Sequence, residues 1–591
     1  MKNNILREVK QLNDQKYQLL SAGYKSFLFS LLVMTVANNI AFFVDSVFIS
    51  HFLGIEKLPA VELCFPVMTF VSMVYLMLGV GGSTLALNHM ADHEKRKADE
   101  TFTVSVVFIT LLGIFLAVFG RIFSEQFAEL LSPDISYYND VLDYLSILVL
   151  GMPLVCLMMS LAYFATADGK HKMAFHAVVI SNVINMIMNV VLIKIMGMGL
   201  SGAAFATIIG YFSGLMYMMR YFFSKDRQMV LVKMSKKAVL SHLHDITLKG
   251  FPESSYLLMI TLRVHILNMI VAAYGGSRGL QVFSIFNNCI YMFFTLALGI
   301  AQTLVPLVII QVQNGDYDRV RKMLFKSIKA ALAGALALCF ILELAPQIIL
   351  MLFNVSDPQT AAECIKAIRI SALSFMGMAF CIIMVHYFQA VKRFNYSHII
   401  TIMEGLVLPI AIMGIFAPFL GVDGLYMGFL FIEILVPLQI LFMVLREDSL
   451  VNHKKYSFML PRKIHDRRLE FTVAMNPDEV VSLSKEASDW VSERTDDVTA
   501  MKTCLAVEEM LTGITAGNTG SSDMIDVVLR EEDDNIIITI HDTGREFNPT
   551  IVDENFDYAF DNAYVLNKIA DEITYNRAMG INSTMIKIQK K

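Results

Sequence analysis

Charge is scarce in this chain: only 17% of its 591 residues are Asp, Glu, Lys or Arg, while 55% are hydrophobic. Soluble domains carry about a quarter charged residues, so this composition, with a mean hydropathy of +0.56, excludes a disordered chain, a fibrous repeat and a wholly cytosolic globule. Paired cysteines are missing as well. The seven thiols (Cys64, Cys156, Cys289, Cys339, Cys364, Cys381 and Cys504) are scattered without a CxxC pair, and most fall in apolar runs. Neither a disulfide framework nor a zinc site is indicated. Also lacking is a small-residue cleavage site after the first apolar stretch. Five basic side chains in residues 1–26 precede some two dozen apolar residues, which reads as a retained membrane helix rather than a cleaved leader.

The charge that is present is unevenly placed. From residue 464 onward there are 12 Lys and Arg against 25 Asp and Glu, and upstream there are 36 against 28. A body of +8 and a tail of −13 point to two domains in different solvents, a bilayer and the cytosol. A membrane helix needs about 20 mostly apolar residues, and such runs recur at 27–50, 59–88, 101–120, 140–165, 173–196 and 200–222, then at 250–274, 281–312, 327–352, 364–390, 397–418 and 422–445. With twelve spans, one side of the membrane collects 23 Lys and Arg in its connections. The other side collects only Lys57, Arg121, Lys194 and Arg278. Positive charge stays inside, so both termini and the acidic tail are expected in the cytoplasm and the body in the inner (plasma) membrane.

The body repeats itself. Gly199-Leu-Ser-Gly202 between the fifth and sixth spans answers Gly421-Val-Asp-Gly424 between the eleventh and twelfth, an offset of 222. Lys170 and Lys172 answer Lys392 and Arg393, and the loop His93–Lys97 answers Asp316–Lys322. Two six-helix lobes are expected, residues 1–235 and 236–445. Six being even, the repeats are parallel, and a cleft between such lobes is where transporters place substrate. No filter-like loop or pore-lining acidic ring supports a channel.

Ionisable groups within hydrocarbon cost several kcal/mol and are functional by default. Asp45 in the first span is either an acid reaching for the outer interface or part of a site. Asn185 and Asn189, four apart on the fifth span, share a helix face; they either hydrogen-bond between helices or offer oxygens to a small hard cation, which Thr207 on the next span would complete. Glu404 and Glu433, in the eleventh and twelfth spans, read as a substrate counter-charge, a second proton acceptor or helix-to-helix hydrogen-bonding groups. Glu253 and Arg263 in the seventh span either bracket the cleft or pair elsewhere. The 38 methionines are read mainly as apolar filler.

The runs Asn185-Met-Ile-Met-Asn189 and Gly197-Met-Gly-Leu-Ser-Gly-Ala-Ala-Phe-Ala-Thr207, with Val44-Asp45-Ser46 and Tyr274-Gly275-Gly276, resemble the multidrug and toxic compound extrusion (MATE) family over about residues 20–445. The resemblance implies a cation site at Asp45, Asn185, Asn189 and Thr207. It also implies antiport, with inward Na⁺ or H⁺ driving export of a mostly cationic organic solute. At the 222 offset Val407 and Ala411 stand where the Asn pair should be, so one such cation site is expected. A lipid-linked sugar flippase of the same superfamily is the alternative within transport, but among the spans only Arg263 offers a buried cation for its pyrophosphate. A solute sensor signalling through the tail is the alternative outside it. Membrane lipids are expected partners; no nucleic acid is.

A basic linker, residues 446–467, suits an anionic inner leaflet. The tail, 468–591, is long enough for one domain and reads as α+β: strands at 469–473, 524–529, 535–541 and 584–588, helices at 478–494, 496–517 and 561–571. Glu508-Glu509-Met-Leu-Thr-Gly513 on a helix and Asp542-Thr-Gly544-Arg-Glu-Phe-Asn-Pro549 after a strand resemble the ATP-binding fold of histidine kinases and anti-sigma-factor serine kinases. That resemblance implies Glu509 as a base and Asp542, with Gly544, as the adenine contact. Gly513 replaces the family's Mg²⁺-holding Asn, and Phe560-Asp-Asn-Ala-Tyr564 has no glycine to admit phosphates. A degenerate, regulatory domain is therefore expected rather than a working kinase, with ATP binding doubtful and a protein partner or dimerisation through the tail left open. The whole chain reads as an all-α membrane protein with a small α+β cytosolic domain, and as no enzyme.

Overall fold

The computed structural model describes residues 42–590 apart from 92–93, 169, 225–226, 235, 314–316, 453–457, 461–467, 475–476, 517–523, 533, 543, 546, 551–561 and 579–580. Its first half comprises α1 (Phe42–Leu53), α2 (Leu58–Ala91), α3 (Lys95–Ile122), α4 (Ser124–Leu131), α5 (Tyr138–Leu148), α6 (Met152–Ala167), α7 (His171–Asn189) and α8 (Gly199–Met218). The second half comprises α9 (Lys236–Gln313), α10 (Tyr317–Leu344), α11 (Gln347–Leu352), α12 (Pro358–Ala390), α13 (Phe394–Ile402), α14 (Leu408–Leu420) and α15 (Val422–Asn452). Helix is the local solution for such apolar runs because each backbone N–H and C=O is satisfied within its own segment.

Ten helices among the described residues are long and apolar enough to cross a membrane. One of them, Leu257–Ile309, has 53 residues, about 80 Å of helix and so room for two spans. It kinks at Gly276, where φ is 56°, between the expected seventh and eighth spans. Of the first span only Phe42–Leu53 is described; residues 27–41 lie outside the described residues. The start of α12 is capped: Asp357 accepts from Thr360 N–H at 2.8 Å ahead of Pro358, the first residue of that helix, the favoured order of cap and proline.

The chain forms two compact units, one of residues 32–301 and 326–443, the other including residues 302–325 and 444–591. Within the first unit close helix approach sets the sites. A Cβ at Gly210 would stand 2.7 Å from the Ser181 carbonyl oxygen and 2.8 Å from Asn185 Cβ, so α8 is packed hard on α7 beside Asn185, the small-residue packing usual between membrane helices. Gly377 on α12 likewise leaves room for the main chain of Glu433 on α15.

The second unit carries a five-stranded antiparallel sheet of β1 (Arg468–Ala474), β2 (Met524–Glu532), β3 (Asn535–Asp542), β4 (Glu572–Ala578) and β5 (Ile581–Gln589), in the order β1-β2-β3-β5-β4. Helices α16 (Pro477–Ser492), α17 (Asp497–Ala516) and α18 (Asn562–Ile569) cover one face. Alternation does the sorting: Ile525, Val527 and Leu529 with Ile536, Ile538 and Ile540 meet Ala487, Val507, Met510 and Leu511. The opposite face is polar and also buried, through Asp526, Arg530, Thr539 and His541. His541 lies beside Arg319 and Arg530, and burial pushes its pKa down to about 3. In the same unit Phe325 packs edge-on against Phe458, and Asp448 accepts from the N–H groups of Phe458 and Met459 at 2.9 and 2.8 Å. Trp490, the chain's single tryptophan, lies on α16 under the Arg494 guanidinium at 4.5 Å.

Two expectations need correction. The strand β4 was not expected, because an edge strand reading Glu-Ile-Thr-Tyr-Asn-Arg-Ala carries little apolar signal. The linker expected from residue 446 starts inside α15, which runs on to Asn452 because residues 446–452 hold no proline or glycine to stop it.

Candidate functional site

Four side chains far apart in sequence meet in the first half. Asp45 on α1 is partly exposed, and Asn189, on the last turn of α7 and 1% exposed, donates to its Oδ1 at 2.6 Å. Asn185 is one turn earlier and also buried. With its amide nitrogen toward the carboxylate, it donates to Asp45 at 2.7 Å and accepts from Thr207 N–H at 3.3 Å. The Tyr144 hydroxyl on α5 lies near Thr207. Helix α7 passes directly into a π-helical segment, Val190–Ile195, an irregularity common at functional positions. Asp45 lies eight residues from the end of α1 and Thr207 eight from the start of α8, which sets both about 12 Å in from the same side.

This geometry stabilises a charge in hydrocarbon. Hydrogen bonds to a charged group are worth about 1.5–3 kcal/mol each, comparable to the cost of an acid at the bilayer centre. An amide is also reversible: with nitrogen inward it serves an empty carboxylate, and with oxygen inward it joins the carboxylate and the Thr207 hydroxyl as a ligand for a cation.

In the second half, Cys381 on α12, Glu404 in the π-helical segment Met403–Val407 between α13 and α14, and Glu433 on α15 bring their ligand atoms within 4.8 Å of one another. Arg263 on α9 lies close enough to interact with both carboxyls. Three of the four expected cleft residues therefore meet. The side chain of the fourth, Glu253, is outside the described residues. Sequence reasoning passed over Glu62, which is 3% exposed on α2 and accepts from Asn287 Nδ2 on α9, so a carboxyl of the first half is bound to an amide of the second. The signal was there in Val61-Glu62-Leu63, an acid inside an apolar run.

The tail's motif residues are arranged differently. Asp542 is 2% exposed, and its Oδ1 accepts from Gly544 N–H at 2.9 Å and Asn582 Nδ2 at 2.7 Å. Its acceptor face is thus taken up within the fold. Gly544 is buried beneath it. Glu509 on α17 keeps its carboxyl above the ordinary range through burial and neighbouring Glu508, while its carbonyl accepts from Asn562 at 3.0 Å. A Cβ at Gly513 would come within 2.5 Å of the Phe547 ring, so an aromatic side chain sits where a Mg²⁺-holding Asn would project. Of Phe560–Tyr564, residues 560–561 lie outside the described residues, and Asn562–Tyr564 open α18. These residues do not fit Mg²⁺ and a triphosphate.

The sequence model of the MatE family matches residues 31–191 and again residues 255–415, more than half of the chain, at a spacing that reproduces the internal repeat. The chain belongs to the MatE family. Members of this family are secondary transporters, not enzymes. The first match includes Asp45, Asn185 and Asn189 and the second includes Arg263, Cys381 and Glu404, while Thr207, Glu433 and the tail lie beyond them.

Among relatives of this MatE chain, the multidrug export protein MepA of Staphylococcus haemolyticus (strain JCSC1435) is 24% identical over 393 residues, 66% of this chain and 85% of the relative. An FAD transporter of Shewanella oneidensis is 24% identical over 406 residues, 65% of this chain and 85% of that one. Among solved structures, a multidrug resistance MATE family transporter of the MOP superfamily in an inward-facing conformation superposes with a TM-score of 0.64 at 21% identity, covering 70% of this chain and 95% of the other. An outward-facing form gives 0.57, at 72% and 96% coverage. These likenesses establish the fold of the body as that of a MATE-like, multi-pass membrane protein; the small β-containing region at the C-terminus is this chain's own structure.

Proposed function

We propose that this MATE chain is a multidrug exporter that exchanges an inward-moving Na⁺ or H⁺ for an organic cation, with Asp45 as the coupling group. The observation that carries the reading is the Asp45 carboxylate held by two Asn amides beside Thr207. For a proton, Asp45 alone suffices. For Na⁺, the oxygens of Asp45, Asn185, Asn189 and Thr207 make a ligand set of the right chemistry. The names of the export relatives support the substrate class. Coupling requires the cation to favour one lobe arrangement over the other, because a ligand of equal affinity for both shifts nothing. Turning of the amides supplies that difference for Na⁺, because amide oxygens brought inward repel the Asp45 carboxylate unless an ion sits between them.

We assign the protein to the inner membrane with its termini in the cytoplasm, a reading that the distribution of Lys and Arg supports. The tail acts as a regulatory domain without phosphoryl transfer. In its support, the tail shares a compact unit with residues 302–325 of the transport body.

The test is dye efflux from vesicles holding the full chain, under an imposed Na⁺ gradient or an imposed pH gradient, with wild type beside Asp45→Asn. One gradient is expected to drive wild-type efflux, with the variant inactive yet still inserted. Normal efflux in the variant removes Asp45 from coupling; no efflux under either gradient removes the antiport reading.

A further inference from the structure

The second half holds a charge cluster that the Asp45 site does not use. Glu433 is 6% exposed, its Oε2 has no hydrogen-bond partner, and it faces Glu404 and the Cys381 thiol within 4.8 Å. Arg263 influences both carboxyls, and among the described residues no ion pair closes between it and either one. The charged or titratable groups facing the cluster are thus Arg263 from α9, Cys381 from α12, Glu404 from the π-helical segment and Glu433 from α15. With the thiol neutral and both carboxyls ionised, the cluster carries −1.

Its depth is that of a transport site. Glu433 is eleven residues into α15 and Glu404 ten into the helical run from Phe394, on chain segments running in opposite senses, so each lies about 15 Å from an opposite face of the bilayer. An unbalanced negative charge at that depth is costly. The cluster is neutral when one unit of positive charge is added.

We propose that Glu404 and Glu433, with Arg263 as fixed counter-charge, form a second cation site that holds either one proton shared between the two carboxyls or one monovalent organic cation in its place. The proposal rests on the export reading for the substrate class. When the organic cation enters, the shared proton leaves to water in the cleft and both carboxylates face the incoming charge; when the cation departs, one proton returns. Arg263 sets the stoichiometry at one, because without it two carboxylates would call for two positive charges. No counterpart exists in the first half: at the 222 offset Glu404 and Glu433 fall opposite Asn182 and Tyr211.

The test is equilibrium binding of tetraphenylphosphonium to the purified full chain in detergent, with proton release followed in weakly buffered solution. Wild type is expected to release close to one proton per cation bound. Glu433→Gln and Glu404→Gln should each release none and bind at least tenfold more weakly. Arg263→Gln should bind several-fold more tightly, an effect that loss of structure does not produce. The proposal is overturned if tetraphenylphosphonium fails to bind wild type, if it binds without proton release, if Glu433→Gln retains both, or if Arg263→Gln weakens binding. Failure of the export reading would look different: binding and release intact, with no gradient-driven efflux in vesicles.

Discussion

Asp45 and Asp542 are both aspartates held by side-chain amide nitrogen, yet one is partly open, as the proposed coupling site needs, and the other is a closed knot. Asp45, in the transport body, is partly exposed, and its donors come from amides that can present oxygen instead. Asp542, in the tail, is sealed at 2% exposure, and its donors are the fixed main chain of Gly544 and an Asn582 amide that also reaches the Arg545 carbonyl at 3.1 Å. A hydrogen-bonded acid is therefore not in itself a ligand-binding acid. Partial exposure and donors that can turn around separate the two cases. Sequence motifs report the acid in both and the difference in neither.

The largest effect expected from breaking this comparison is in the body. Replacing both amides, Asn185→Leu with Asn189→Leu, strips Asp45 of two donors worth about 1.5–3 kcal/mol each and should abolish gradient-driven dye efflux in vesicles. Efflux within a few-fold of wild type would show that the amides do no more than pack. Next comes the knot itself. Asp542→Ala leaves two buried donors without an acceptor and should lower tail stability by about 3 kcal/mol, read as the urea midpoint of tail cleavage in pulse proteolysis of the full chain, while tetraphenylphosphonium binding by the body stays unchanged.

Acid sharpens the contrast in the tail at smaller amplitude. His541, paired with Asp526 across β2 and β3, has its folded pKa depressed to about 3, below an unfolded value of about 6.5. Its neutral state favours folding fully above about pH 6.5, and that contribution is lost as pH falls toward 3, because the unfolded chain takes up the proton first. Moving from about pH 7 to about pH 5 should cost the tail roughly 2 kcal/mol by the same proteolysis, and His541→Gln should remove most of that slope. The smallest expected effect is none at all: Mg·ATP at millimolar concentration should not raise the tail's urea midpoint, whereas any ligand that binds the folded state does so by mass action. A clear rise would mean that the Phe547 ring moves aside and that the motif is alive.

How much of this was legible depended on whether the signal was local. Asn185 and Asn189 advertise a shared face by their spacing alone, and an acid such as Asp45 within an apolar run is conspicuous, so the first-half site could be assembled from sequence. The meeting of Arg263, Glu404 and Glu433 could be named only as separate candidates, because their convergence depends on how α9 and α15 lie against the π-helical segment, and helical period says nothing about that. Glu62 and Asn287 are 225 positions apart, with no repeat to join them. In the tail, the absence of an Asn at position 513 was readable, whereas the packing of Phe547, 34 residues on, against Gly513 belongs to tertiary structure. Edge strand β4 escaped because it covers no core of its own.

One feature of the tail has practical reach. Because Trp490 is the only indole in the chain and sits on α16 against Arg494, light absorbed by indole alone excites the tail and nothing in the transport body. The intact transporter thus carries a built-in optical reporter, unlabelled, whose emission follows the tail's state while the body, which holds 17 of the chain's 21 tyrosines, turns over in the same cuvette.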